Sequence, residues 1–290
     1  RINMKLIDCF MYFDENLILD IRLNTLNDIV EKFVITEATR DHSGNKKKLN
    51  FDYSNFKKFK DKITYIIVDD LPMETKPLKK NWGSNHIRDQ YQRNSLSRGF
   101  SQYNDEDLIM ISDIDEIPDP KKISYFKTKN KYACFLQKNF QSKLNLQNFT
   151  DKYWMGTKIC QKKFLKSPQW LRNVKDRKYP FYRLDTFFSD TKYIDIKIIS
   201  NGGWHFSNLK TASEIEFKLK SYLHHREFDE NPLSVEEISD LIKNKQAIYD
   251  LKVDKRVNKI GDGSKLEKYP KDKLPKFLRD NLNDYKEWID

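Results

Sequence analysis

Asp107-Leu108-Ile109-Met110-Ile111-Ser112-Asp113-Ile114-Asp115-Glu116-Ile117-Pro118 is an apolar run that ends in three acidic residues. Its apolar positions are continuous rather than alternating, which predicts a strand over 107–112 covered on both faces. Pro118 stops any continuing helix or ladder. Working outward, three earlier runs share this texture. Residues 4–13, 32–38 and 63–68 each predict a strand, the last closed by Asp69-Asp70-Leu71-Pro72. Residues 14–31 carry helical spacing (Leu17, Ile21, Leu26, Ile29, Val30), with Asp14 as a candidate cap. Residues 84–100 predict a second helix, and 39–60 a polar loop. The order strand, helix, strand, strand, helix, strand indicates an α/β fold with a mostly parallel sheet flanked by helices. Ligands of such sheets bind beyond the carboxyl ends of the strands. Glu37, Asp69, Asp70 and Asp113 to Asp115 all fall there.

Beyond residue 130 the texture is mixed. Residues 132–140 and 179–199 predict a strand-rich region, and the intervening 151–183 hold ten basic and two acidic residues. Helices are expected over 211–226 and 234–249, and a short amphipathic one over 274–289. The expected organisation is a single domain over 4–290. It divides into a ligand-binding half (4–120), a second half (121–250) and a C-terminal extension (251–290).

The chain has 290 residues, of which 38% are hydrophobic, including 19 Phe and 15 Tyr. That suffices for a packed core and argues against global disorder. The formal charge is +11, from 54 Lys plus Arg against 43 Asp plus Glu. Such a balance suits anionic partners: nucleic acid, a membrane surface or phosphate-bearing small molecules. The abundance of Lys, Asn and Ile is also what an AT-rich genome produces, so the charge does not select nucleic acid. No nucleic-acid module is recognisable, and no nucleic-acid partner is expected; a peripheral membrane contact stays open. Cys9, Cys134 and Cys160 are odd in number and widely spaced, which excludes a disulfide framework or zinc ribbon. Buried, reduced thiols are expected. No apolar run is long enough to span a bilayer, and no secretory pattern opens the chain, so a cytoplasmic location is expected.

Alternate residues of an extended chain point the same way. Asp113 and Asp115 are therefore expected to converge on one cation, with Ile114 buried behind them. Hard carboxylate oxygens suit Mn2+ or Mg2+, ions that keep positions open for substrate phosphates. A solvated acidic turn has the same composition. The second unusual stretch is Asn201-Gly202-Gly203-Trp204-His205-Phe206-Ser207. Its paired glycines allow close backbone approach or a positive φ. His205 is either a nitrogen ligand, which with two carboxylates favours Mn2+, or a core histidine beside a tryptophan.

These segments, with Phe33-Val34-Ile35-Thr36-Glu37-Ala38, Gly44, Val68-Asp69-Asp70-Leu71-Pro72 and Phe217-Lys218-Leu219, resemble glycosyltransferase family 17 over about Asp8 to Tyr222. The resemblance implies a GT-A-type, Rossmann-like fold and an inverting transfer from a UDP-sugar, N-acetylglucosamine first, to a glycan or glycoconjugate acceptor. It implies Mn2+, with Mg2+ as the substitute, held by Asp113, Asp115 and His205. Glu37, Arg88, Arg93, Asp113 and Lys218 are then expected to face the nucleotide-sugar donor. On helices, Arg88 and Arg93 also suit a solvated face. Inversion requires a carboxylate base on the acceptor hydroxyl. Glu116, Asp185 and Glu214 are the candidates, Glu116 first because it adjoins the acidic pair; surface or capping roles are open to each. Two other classes stay open: a catalytically silent glycan- or nucleotide-sugar-binding relative, and a basic nucleic-acid-binding protein.

Overall fold

The computed structural model describes residues 4–73, 84–126, 129–221, 232–248 and 264–290. Its first half follows the sequence pattern. Strand β1 (Leu6–Met11), helix α1 (Asn16–Leu26), β2 (Lys32–Ala38), β3 (Ile63–Val68), α2 (Ser84–Asn94) and β4 (Leu108–Ser112) occur in the expected order. The four strands pair in parallel in the order β3-β2-β1-β4. Register pairs Phe10 with both Ile35 and Ser112, and Ala38 with Val68. The carboxyl ends of all four therefore share one edge, where the chain turns at Asp113.

The sheet is mixed rather than mostly parallel. After β5 (Glu116–Pro118) and α3 (Pro120–Ile123) come β6 (Tyr132–Gln141), β7 (Leu146–Asn148) and β8 (Tyr153–Gln161). Strand β8 lies between β4 and β6 and is antiparallel to both. Short returns after β6 allow only antiparallel neighbours, because a parallel pair needs a long crossover. Helix α4 (Pro168–Asn173), β9 (Lys197–Ile199), β10 (Gly203–Ser207), α5 (Ala212–Ser221), α6 (Val235–Lys243), β11 (Leu266–Lys268) and α7 (Lys276–Asp280) follow. Strand β10 runs parallel to β6 and antiparallel to β5, which sets His205 opposite Glu116. Of the strand-rich region expected over 179–199, only β9 is strand. Pro180 removes a ladder donor, and the 175–191 segment closes on itself through a Lys175 N to Thr191 O bond of 2.7 Å. The helices expected over 211–226 and 234–249 are shorter where described; residues 222–231 and 249 lie outside the described set.

Both faces of the sheet are covered, as the unbroken apolar runs require. One core joins Phe10, Leu19, Leu23, Phe33 and Phe135 to Leu274, Leu278 and Tyr285, so the C-terminal residues belong to the main core. The other joins Ile7, Val34, Ile109 and Ile111 to Leu96 and Leu171. Cys9, Cys134 and Cys160 are free and buried in this second core, as expected.

One charged pair interrupts the apolar interior. Asp8 on β1 and Arg22 on α1 are both fully buried. Arg22 Nε and Nη2 donate to the two Asp8 carboxylate oxygens at 2.8 and 2.7 Å. Arg22 Nη1 donates to the backbone carbonyls of Glu116 (2.7 Å), Ile114 (3.1 Å) and Asp113 (3.3 Å). The pair therefore holds the 113–116 turn against the sheet. Removing one partner of a buried pair leaves an uncompensated charge and costs ~3–5 kcal/mol. Arg22→Met is accordingly expected to lose about that much in urea unfolding. The double change Asp8→Leu with Arg22→Met should lose less than the two single losses added. Strict additivity would contradict the pairing.

Candidate functional site

The site grows from the end of β4. Glu116 N donates to Asp113 O at 3.0 Å, so residues 113–116 form a turn rather than the expected extended segment. The turn corrects the expectation of an extended chain. The two carboxylates have different partners, while Ile114 is buried as expected.

Asp113 faces two arginines. Arg172 Nη2 reaches its Oδ2 at 3.0 Å and Arg93 Nη2 its Oδ1 at 3.1 Å. Burial alone pushes the Asp113 carboxyl up, but Arg172 and then Arg93 outweigh it and hold it at about 2. Arg172 sits on α4, whose N-terminus is set by Ser167 accepting from Trp170 N and by Pro168. Gln169, one turn earlier, accepts from Arg93 (2.5 Å) and donates through its backbone N to Asn94 (2.9 Å), which docks α4 on α2.

Glu116 is fully buried and spoken for. Arg172 Nη1 and Nη2 form a fork on its carboxylate at 2.7 and 2.9 Å. Trp154 Nε1 and Asp113 N donate to the same group at 2.8 and 2.9 Å. Four donors on two oxygens make Glu116 a positioning residue that fixes the turn, Arg172 and Trp154. Asp185 is bound by Arg183 and Lys192, which pull its carboxyl well below the usual range, and none of its recorded bonds reaches the turn. Glu214 caps α5, accepting from Thr211 N (2.8 Å) and Thr211 Oγ1 (2.7 Å), bonds that lower its carboxyl.

Asp115 looks the other way, toward His205. Asn139 Nδ2 donates to Asp151 O at 3.0 Å, so its Oδ1 faces His205 Nδ1, also at 3.0 Å. Nδ1 therefore carries a proton, and Nε2 is turned to Asp115 Oδ2 at 3.6 Å. That separation is too long for a good hydrogen bond. Trp154 stacks on the His205 ring with centroids 4.7 Å apart. Phe206 N donates to Asp115 O at 2.9 Å, tying β10 to the turn. Gly203 makes the approach possible. Its φ is +133°, and a Cβ there would meet Ile117 O at 2.2 Å. Burial alone pushes the Asp115 carboxyl up; the His205 ring and then the Lys218 charge hold it below the ordinary value, against a push from Asp113. Lys218, on α5, thus acts on the same carboxylate.

The remaining expected donor contacts are placed elsewhere at this edge. Glu37 is buried at the end of β2 and organises the following loop, accepting from Lys47 Nζ, Asn50 N, Phe51 N and Tyr65 Oη. Arg88 Nη1 donates to His42 O (3.0 Å) and its Nε to Pro72 O (3.2 Å), with the guanidinium packed over Gly44. These bonds pin loops rather than face an open site. Arg172, Asp8, Arg22, Trp154 and Asn139 were not singled out from sequence. Among the described residues, no three His, Cys, Asp or Glu side chains gather to hold a metal alone. The donor set is one carboxylate and one oriented imidazole nitrogen, which fits a cation that completes its shell with water and phosphate oxygens.

A family model described as glycosyltransferase family 17 matches residues 1–289. The human, rat and mouse proteins named β-1,4-mannosyl-glycoprotein 4-β-N-acetylglucosaminyltransferase are each 25% identical over 224 residues, covering 70% of this chain and 40% of theirs. The chain thus spans less than half the length of these relatives. Their naming for action on mannosyl-glycoproteins overturns the expectation of a cytoplasmic location. Among the described residues no helix is long and apolar enough to cross a membrane, a fact that assigns no compartment.

The clamp on Asp113 has a pH signature. A carboxyl lowered from 3.8 to about 2 contributes stability that is complete above the unfolded value and fades as pH falls toward the folded one. Arg172→Gln also strips the fork from buried Glu116, so a loss of ~3–5 kcal/mol is expected at neutral pH. Measured by urea unfolding, the deficit relative to the parent should stay level from about pH 7 to 5 and shrink below about pH 4. A deficit that grows on acidification would contradict the assignment.

Proposed function

The chain belongs to glycosyltransferase family 17, and from that premise we propose that it transfers a sugar from a UDP-sugar donor to a glycan acceptor with inversion. N-acetylglucosamine is the first candidate, on the printed names of the relatives. The parallel β3-β2-β1-β4 unit with its acidic turn at the carboxyl edge supports a GT-A-type, nucleotide-binding half. The observation that carries the proposal is the division of labour in the 113–116 turn. Asp113 and Glu116 are neutralised by arginines, whereas Asp115 is left facing an oriented imidazole and a lysine charge.

Asp115 and His205 are the residues to hold Mn2+, or Mg2+ in its place. Asp113 lies beside them, already paired with Arg172 and Arg93. When bound, the cation offsets the charge that develops on the departing diphosphate. Lys218 adds a fixed positive charge on the Asp115 side, where phosphate oxygens would gather. Asn139 holds the His205 ring so that Nε2 is turned toward Asp115, and Trp154 fixes the plane of the ring; such outer contacts tune a ligand's affinity. Water and donor phosphates complete the site, as is usual for hard divalent ions bound by few protein groups.

UDP release across a panel of UDP-sugars should require Mn2+ and stop with EDTA. Asp115→Asn should abolish it, while the unfolding midpoint stays near that of the parent because Asp115 makes few structural bonds. Turnover unaffected by Asp115→Asn would sink the proposal. A second measurement does not depend on turnover. Mn2+ titrated by electron paramagnetic resonance in the presence of UDP should bind about 10–100-fold more weakly to Asn139→Ala than to the parent. Equal affinities would remove His205 from the site.

A further inference from the structure

The segment 175–191 leaves the site directly. It begins two residues after α4, the helix that carries Arg172, and its ends are pinned together. Lys175 N donates to Thr191 O at 2.7 Å, Trp170 Nε1 to Asp190 O at 2.8 Å, and Lys166 Nζ to Asp190 Oδ1 at 2.6 Å. The loop is ordered by its own inward residues. Tyr179 and Thr186 are buried. Arg177 donates to Tyr179 Oη at 3.0 Å, and Thr186 Oγ1 donates to Arg183 O at 2.6 Å. This is an Ω-type loop, compact and closed at its base.

Its outward face is the densest cluster of exposed apolar side chains among the described residues. Phe181, Tyr182, Leu184, Phe187 and Phe188 lie within eight residues and are between 68% and 91% exposed. Exposed apolar clusters of this kind mark a contact surface. The surrounding charge is basic: residues 175–192 carry five Lys or Arg and three Asp. Two of the acids are already paired, Asp185 with Arg183 and Lys192, and Asp190 with Lys166. Lys175 and Lys178 are exposed on the same loop.

We propose that this loop docks the protein on an anionic lipid surface, its aromatic and leucine side chains entering the headgroup boundary while the flanking cations meet lipid phosphates. Aromatic rings favour that boundary, and cations beside them supply attraction to negatively charged leaflets. Of the five side chains on this face only Tyr182 offers a hydroxyl to a polyol, so a lipid surface fits this face better than a sugar chain does. Docking here would hold the Arg172 side of the acidic turn toward the bilayer.

Cosedimentation of the intact chain with vesicles tests this, using phosphatidylcholine alone and phosphatidylcholine with phosphatidylserine. Binding should be stronger to the mixed vesicles and weaken with added salt. The double change Phe187→Ser with Phe188→Ser should lower partitioning at least about tenfold. Lys175→Gln with Lys178→Gln should lower it about fivefold per lysine on mixed vesicles only. Both variants alter exposed side chains, so their urea midpoints should match the parent. No vesicle binding by the parent, or partitioning unchanged in the phenylalanine variant, overturns the proposal. So does unchanged partitioning accompanied by lost affinity for a soluble mannose-containing oligosaccharide, or by loss of a dimer; the loop would then serve an acceptor or a second copy.

Discussion

The buried pair between Asp8 and Arg22 is the constraint on which the candidate site rests. Two fully buried charges in an α/β core are costly unless they are paired and hydrogen-bonded. Here they are: two arginine nitrogens reach the two Asp8 carboxylate oxygens, and the third collects the carbonyls of Asp113, Ile114 and Glu116. Asp113 O also accepts from Glu116 N and Glu116 O from Thr157 Oγ1, so Arg22 adds a second donor to each and gathers Ile114 O with them. Arg22 thereby converts the end of β4 into a rigid platform, anchored through β1 and α1 to the middle of the fold.

On that platform three neighbouring carboxylates take three roles. Glu116 points inward and is saturated by Arg172, Trp154 and the Asp113 amide. Asp113 stands at the rim and is neutralised by Arg172 and Arg93. Asp115 points toward β10, where His205 is held by Asn139 and stacked on Trp154. Arg172 and Trp154 each touch two parts of this arrangement, so α4 and β8 are fastened to the turn by the same groups that shape it. Under the proposed function, this arrangement assigns Asp115 to a cation while the other two carboxylates serve as structure.

Much of this was legible in the sequence. The continuous apolar runs gave the β1 to β4 order, the covered sheet and the shared carboxyl edge. Gly202-Gly203 signalled a close backbone approach, and Gly203 has the positive φ that such an approach needs. Partner choice was not legible. Asp113-Ile114-Asp115 has the spacing of an extended chain, and only the Glu116 N to Asp113 O bond makes it a turn. Glu116 adjoins the acidic pair in sequence yet faces the core. Arg172 belonged to the basic stretch 151–183, whose composition alone singles out none of its cations. A signal for the central pair was present: Asp8 interrupts Leu6 to Phe10, and Arg22 follows Ile18 by one helical turn on the buried face. A charge at a core position implies a buried partner. Asn139 carried no such mark, because its role depends on a register between β6 and β10 that no local pattern encodes. Residues 179–199 misled for the opposite reason. Aromatic and β-branched composition suggests strands, but outward rings around Pro180 have no strand to pair with.

The central claim is that Asp115 and His205, and not the whole acidic cluster, form the metal and diphosphate end of a donor site. A crystal structure of the protein grown with Mn2+ and UDP tests it most directly, with anomalous scattering locating the metal. The account predicts an anomalous peak bonded to Asp115 Oδ2 and His205 Nε2, the diphosphate on the Lys218 side, and the Arg172 fork on Glu116 unbroken. A peak held by Asp113 and Glu116 with Arg172 displaced, or UDP bound away from the 113–116 turn, would contradict it.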